Sequence, residues 1–298
     1  MAKLPYSKPP LTYQQQLQLL QKRGLLVNNL AQAEHLLAVV SYYRLSGYWY
    51  PLLADKTNHR FKPGATFDAA FELYKFDRAL RMLILREVEK IEVAVRARLI
   101  YTCSIEHGPF WFLDQKHFHD PVDHGRTLAS LQKELGRSDE EFIKAFLQKY
   151  ADPLPPSWMT FEVASFGTVS RLYKNLKPGK MRRDVARAFG LSDTVFISWL
   201  HTLVYVRNVC AHHARIWNRV LGISPEQPRT TAHAWLSTPP AYPRKLYFAL
   251  SIILYLHRTV NPHTTFVQKL KDLFAAHPNV DPAAMGFPNE WEKEPLWQ

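Results

Sequence analysis

The sequence predicts an all-α protein, and three observations carry that reading. Apolar residues recur at helical spacing through most of the chain, no series of alternating strands appears, and proline and glycine clusters fall between the periodic segments. Residues 11–40 read as two short helices around Gly24, the second opened by Val27-Asn28-Asn29. The aromatic-basic stretch SYYRLSGYWYP (41–51) follows and closes at Pro51, and the turn-rich residues 55–65 are expected to form a loop. A long helix is expected from about Thr66 to Tyr101. There Leu73, Phe76, Leu80, Leu83, Ile84, Val88, Ile91, Val95 and Leu99 recur at helical spacing, with Arg78, Arg81, Arg86, Glu89, Lys90 and Arg96 mostly between them. A polar, His-rich connection over 107–125 leads to a helix near 127–150, which the Pro-rich residues 151–157 break. Further helices are expected near 158–176, 180–190, 193–217 and 243–258, and the Pro-rich, acidic residues from His277 onward are expected to be irregular. The expected division is an N-terminal helical module (1–65), a helical domain over 66–260 with an insertion near 103–157, and a C-terminal tail (261–298).

Composition narrows the function. With 47% hydrophobic and 13% aromatic residues, the chain buries a core and is not intrinsically disordered. Its longest apolar run, Leu246 to Leu256, is 11 residues interrupted by Ser251, against the ~20 that a bilayer crossing needs. That run reads as a buried helix, and no membrane partner is expected. The opening residues MAKLPYSKPP lack the apolar core of a secretory signal, and Cys103 and Cys210 are too few for a disulfide framework or a zinc site of their own. A cytoplasmic location is the expectation, and no cofactor or metal is called for.

The charge is positive and uneven. Residues 161–260 hold 14 Lys+Arg against 4 Asp+Glu, a net +10 of the whole chain's +12. Such a concentration attracts phosphate backbones by steering and counterion release, which points to nucleic acid. Within it, Arg171, Lys174, Lys177, Lys180, Arg182, Arg183 and Arg187 surround a Pro-Gly turn and are the best candidates for a sequence-independent backbone groove.

The most informative segment is SDTVFISWLHTLVYVRNVCAHHARIWNR (192–219). On a helical wheel the apolar Trp199, Leu203, Val206, Val209, Cys210, Ile216 and Trp217 share one arc. Arg207, Asn208, His212, Arg215, Asn218 and Arg219 share another, roughly 140° wide. His212 falls among the arginines and His213 into the apolar arc, where it is expected to be a core residue. Histidine titrates near neutral pH and can move protons in phosphodiester chemistry, while an arginine fork stabilises charge on a pentacoordinate phosphate. Asn208, one turn before the histidine, can hold the imidazole or contact substrate. Those groups suffice for metal-independent RNA cleavage in which the substrate's own 2′-hydroxyl attacks.

Arg207-Asn208-Val209-Cys210-Ala211-His212 fits the R-x4-H motif of the HEPN superfamily of helical ribonucleases, and VRNVCAHHARIWNR resembles the Abi family of bacterial abortive-infection proteins, the AbiD/AbiF-like group. The segments SYYRLSGYWYP (41–51), LYKFDRALRMLILREVEKIEVAVR (73–96) and SFGTVSRLYKNL (165–176) resemble blocks of that family in the same order, so the resemblance covers roughly residues 20–260. It implies a HEPN-type helical bundle with an N-terminal helical extension, a role in anti-phage defence, and Arg207, Asn208 and His212 as catalytic residues. It also implies a homodimer, since HEPN nucleases pair two motifs and this chain carries one. RNA is implied as substrate and, from the AbiF-like group, as a stable structured non-coding partner.

Three further constellations stand outside this motif. Glu89 and Glu92 lie beside Arg96 at helical spacing; Glu92 or Arg96 could line the site, and surface ion pairing is the favoured reading. His117, His119, Asp120, Asp123 and His124 are of metal-ligating type without a ligand pattern, and a metal-dependent phosphoesterase is the rival they would support. Tyr42, Tyr43, Arg44, Tyr48 and Trp49 could stack on bases with Arg44 on a phosphate, against the plainer role of packing a small core. Arg215 and Arg219 complete the residues expected to touch RNA. A non-catalytic RNA-binding protein remains the alternative to a nuclease.

Overall fold

A computed structural model describes residues 5–298 and gives two compact units, one of residues up to Leu80 with Leu273–Val280, the other of Arg81–Asp272 with Asp281–Gln298. Among the described residues there are twelve α-helices and a single two-stranded sheet, so the protein is all-α.

In the first unit, α1 (Tyr13–Lys22) opens with a capping box: Thr12 accepts from the Gln15 amide and Gln15 accepts from the Thr12 amide. It stops at Gly24, whose φ of 94° is the left-handed conformation that a side chain disfavours. Helix α2 (Leu30–Val40) is capped by Asn29, and Ser41 caps α3 (Tyr42–Trp49). Strands β1 (Leu53–Asp55) and β2 (Arg60–Phe61) then form an antiparallel hairpin, so the expected loop over 55–65 holds the second strand and the turn before it. Leu17, Leu20, Leu37, Leu45, Trp49 and Phe67 are buried, and the buried Tyr48 donates 2.6 Å to the carboxylate of Asp77.

Helix α4 (Phe67–His107) is the long helix that the periodicity predicts, six residues longer at its C-terminal end. In the second unit its Ile84, Val88, Ile91, Val95, Leu99 and Cys103 form a buried stripe. The segment expected at 127–150 is two helices, α5 (Pro121–Leu135) and α6 (Glu141–Lys149), because Gly136 and the polar residues after it interrupt the pattern. The segment at 158–176 is likewise two, α7 (Ser157–Val163) and α8 (Phe166–Asn175). Ser165 starts the second by capping the Thr168 amide. Helices α9 (Lys180–Arg187) and α10 (Asp193–Ala211) follow, with α10 packed on α8, α9 and α11 (Leu246–Val260).

Residues 246–257 of α11 are buried on every side, as the apolar run predicts for a core helix. No described helix is long and apolar enough to cross a membrane. Helix α12 (Phe266–Ala276) was not expected. From His277 onward, where irregular chain is expected, there is no α-helix but three short 3-10 helices, Pro282–Met285, Trp291–Lys293 and Pro295–Trp297, and this segment is not loose. Met285, Phe287, Trp291, Leu296 and Trp297 are buried, and the Trp297 ring stacks on Tyr247 of α11 at 5.8 Å.

Candidate functional site

Helix α10 is fixed by its apolar face: Val195, Phe196, Trp199, Leu200, Leu203, Val206, Val209 and Cys210 are buried. Its last turn presents Arg207 and Asn208, both half-buried, and the chain leaves the helix at His212, which is exposed. The expected helix to residue 217 is corrected here, because it ends at Ala211. The His213 amide donates to the Cys210 carbonyl at 3.0 Å and the Ala214 amide to that of Val209 at 3.0 Å, the paired closure of a Schellman motif. That motif needs a left-handed residue, and His213 occupies the place with φ 57°. His213 is therefore exposed, not the core residue that the wheel suggested. Arg215, Asn218 and Arg219 leave the helix face and lie on the turn beyond it, anchored by buried Ile216 and Trp217.

Asn208 holds Arg207 with its side chain and meets His212 only through its main chain. Its Oδ1 accepts from the Arg207 guanidinium at 3.2 Å, and its main-chain carbonyl accepts from the His212 amide at 2.9 Å. On the other side of Arg207, the Nε lies 4.0 Å from a carboxylate oxygen of Glu92 on α4. Glu92 is ion-paired with Arg96, both side chains 14% exposed, and Arg96 donates 3.1 Å to the Glu162 carbonyl of α7. The Glu92–Arg96 pair is thus present but largely buried, not the surface pair expected, and Glu92 also reaches the motif arginine, a link that residue spacing does not reveal. Guanidinium, amide and carboxylate form one chain, with the Arg207 side chain 43% exposed to whatever binds.

The turn after the helix adds cations. Arg219 donates 3.3 Å to the Arg215 carbonyl, and Lys245 donates to Asn218 Oδ1 at 2.9 Å and to the Ala284 carbonyl at 3.0 Å. Burial holds the Lys245 pKa below its ordinary value, and the nearby Arg215 cation lowers it further. Lys245 was missed in the sequence because it lies 26 residues past Arg219, just outside α11.

The basic run divides by role. Lys174, Lys177 and Arg183 are exposed. Lys180 is exposed but pairs with Glu106 and Asp184, each at 3.1 Å. Arg182 turns inward, 2.6 Å from Asp193 and donating to the Leu176 carbonyl, with its side chain 15% exposed. It fastens α9 to the start of α10.

Residues 117–124 serve the local fold. Asp120 caps α5, and the buried His124 stacks on Phe118 at 4.0 Å and donates from Nε2 to the Phe112 carbonyl. His117 packs on His107 at 4.3 Å, and burial, then the neighbouring His107, keep its pKa low. Among the described residues no three His, Cys, Asp or Glu side chains gather to hold a metal ion. In the first unit Tyr48 and Trp49 are buried as core residues, whereas Tyr43 and Arg44 are exposed on α3.

Residues 35–218 match the model of a protein family described as Abi-like protein. No curated protein and no solved structure matches the chain.

Proposed function

The chain belongs to the Abi-like protein family, and from that premise we propose that it is a HEPN-type RNA-binding protein that cuts RNA without a metal ion. The family supports an abortive-infection role; the RNA and the chemistry are the proposal. The observation that carries it is the end of α10. There Asn208 bonds to the Arg207 side chain and the His212 backbone, and both candidate groups face solvent in a chain of net charge +12.

In this reading Arg207 grips a phosphate and stabilises the charge on the pentacoordinate phosphorus. A ribose 2′-hydroxyl attacks that phosphorus as it loses its proton to a base, and the departing 5′-oxygen gains a proton from an acid. The products are a 2′,3′-cyclic phosphate and a 5′-hydroxyl. Two protons move, and each motif offers one imidazole, His212. A homodimer that pairs two α10 ends supplies both, with Asn208 and Glu92 orienting each Arg207. Lys174, Lys177, Arg183, Arg215 and Arg219 hold the sugar–phosphate chain, and Arg182 is left to the fold.

The test is a pair of variants. His212→Ala and Arg207→Ala should each lower cleavage by about 100-fold or more, within the range for lost acid–base or electrostatic groups. His212→Ala should keep wild-type RNA affinity. Equal cleavage by wild type and His212→Ala would overturn the mechanism. A second reading, stable binding of a structured non-coding RNA without cleavage, is favoured by exposed Lys174, Lys177 and Arg183 on α8, α9 and the turn between them. It predicts a discrete co-purifying RNA and no cut products.

A further inference from the structure

The first unit carries an open groove of about 720 Å³ that the chemistry above does not use. Tyr6, Tyr42, Tyr43, Trp49, Tyr50 and Phe61 contribute rings to it, and Lys8, Arg23 and His59 also line it. Its volume is within the roughly 300–1,000 Å³ of ordinary ligand pockets. Among the described residues, no Asp or Glu lines it.

The rings are not simply core. Tyr6 is 85% exposed, Tyr43 89% and Tyr50 46%, in a unit whose Tyr48, Leu45 and Phe67 are fully covered. Helix geometry explains the sorting. At about 100° per residue, Tyr42, Tyr43, Ser46, Trp49 and Tyr50 fall on one side of α3 and its continuation, while Arg44 falls opposite. The cation at the groove is instead Arg23, just past α1, whose guanidinium donates 3.1 Å to the Tyr42 hydroxyl. Lys56 places its ammonium 5.2 Å from the centre of the Tyr50 ring. Residues 5–66 hold seven Lys+Arg against two Asp+Glu, so the surroundings are positive.

We infer that this groove is a stacking site for unpaired nucleotides of the bound RNA. Exposed tyrosine faces interleaved with cations match flat bases strung on phosphates. An acidic peptide would satisfy the cations and leave the ring faces wet; duplex RNA keeps its bases out of reach. The groove shares no residue with the Arg207 and His212 site, and it gives the protein a preference for RNA with single-stranded segments. The inference rests on the RNA reading of the chain.

The test uses the full chain and a random-sequence RNA pool carrying thiouridine. Photo-crosslinks should map to Tyr43, Tyr50 or their neighbours in the groove. Tyr43→Ala and Tyr50→Ala should each weaken binding of single-stranded RNA about tenfold, with the salt dependence unchanged, because stacking removes no phosphate contact. Tyr43→Phe should bind as wild type does, and duplex RNA should not distinguish any of the variants. Tyr43 is exposed enough that its removal leaves the fold intact, and an unshifted melting midpoint checks this. Crosslinks confined to residues 171–219, or wild-type affinity in both alanine variants, overturn the groove and leave RNA binding standing. No binding by the wild-type protein overturns both.

Discussion

Replacing Glu92 with glutamine removes one charge at the junction of two guanidiniums, and it should lower stability and cleavage without lowering RNA affinity. The Arg207 contact is 4.0 Å long and half-exposed, so its loss costs roughly 0.2–1 kcal/mol. The Arg96 contact is nearly buried, and stranding a buried charge costs about 3–5 kcal/mol. Arg96 keeps its bond to the Glu162 carbonyl, so the low end applies and Glu92→Gln should lose about 3 kcal/mol in total. Urea denaturation measures that loss, and a double-mutant cycle with Arg207→Ala isolates the smaller coupling. For RNA the same change deletes a negative charge beside the phosphate site. Affinity should stay level or rise, while cleavage falls about tenfold as the guanidinium loses one of its two restraints. A variant that loses stability but cleaves like wild type would show that Glu92 only holds the helices together. Affinity and cleavage falling in equal proportion would show that it binds substrate and does not position Arg207.

Other outcomes follow from neighbouring parts of the second unit. Buried His257 sits 3.1 Å from Glu87 and 2.8 Å from Thr264, and desolvation holds its pKa below the ordinary value despite Glu87, with Lys90 and Lys269 lowering it further. The unfolded chain then binds more protons below about pH 6.5, so stability should fall as pH drops through that value; His257→Gln should flatten the melting profile, and parallel profiles would refute the assignment. Trp297→Ala removes a ring stacked on Tyr247 and a bond from Nε1 to Ser251 at 3.3 Å, and should cost about 3–5 kcal/mol by denaturant titration, whereas a loose tail would show almost no change. Arg182→Ala should destabilise the protein and leave the salt dependence of RNA affinity unchanged, while Lys174→Ala with Lys177→Ala should reduce its slope by roughly 0.7 per lost single-strand phosphate contact. The reverse pattern would exchange their roles.

Much of this architecture is legible in the sequence, and the exceptions have physical causes. The core stripe of α4 was plain because Ile84, Val88, Ile91, Val95 and Leu99 keep one period without interruption. The end of α10 was hidden because His213, not glycine, takes the left-handed position, so periodicity runs on through Ile216 and Trp217 after the helix has stopped. The tail's acidic and proline-rich composition concealed Trp291, Leu296 and Trp297: Trp297 is buried against Tyr247 of the distant α11, and Trp291 packs on Trp297. At the candidate site, the spacing of Arg207, Asn208 and His212 on one helical arc and their fit to the R-x4-H pattern singled them out. The approach of Glu92 to Arg207 joins residues 115 apart and is set by how α4 and α10 pack, which no local pattern encodes. Arg182 looked like its basic neighbours until its partner, Asp193, came into contact.

The nature of the cut ends reports on the chemistry directly. Purified protein incubated with RNA in excess chelator should yield 2′,3′-cyclic phosphate and 5′-hydroxyl ends, and a substrate with 2′-deoxyribose at the cleaved position should stay whole. Ends bearing a 5′-phosphate, cutting of the deoxy substrate, or cleavage abolished by the chelator would contradict the account built on His212 and Arg207.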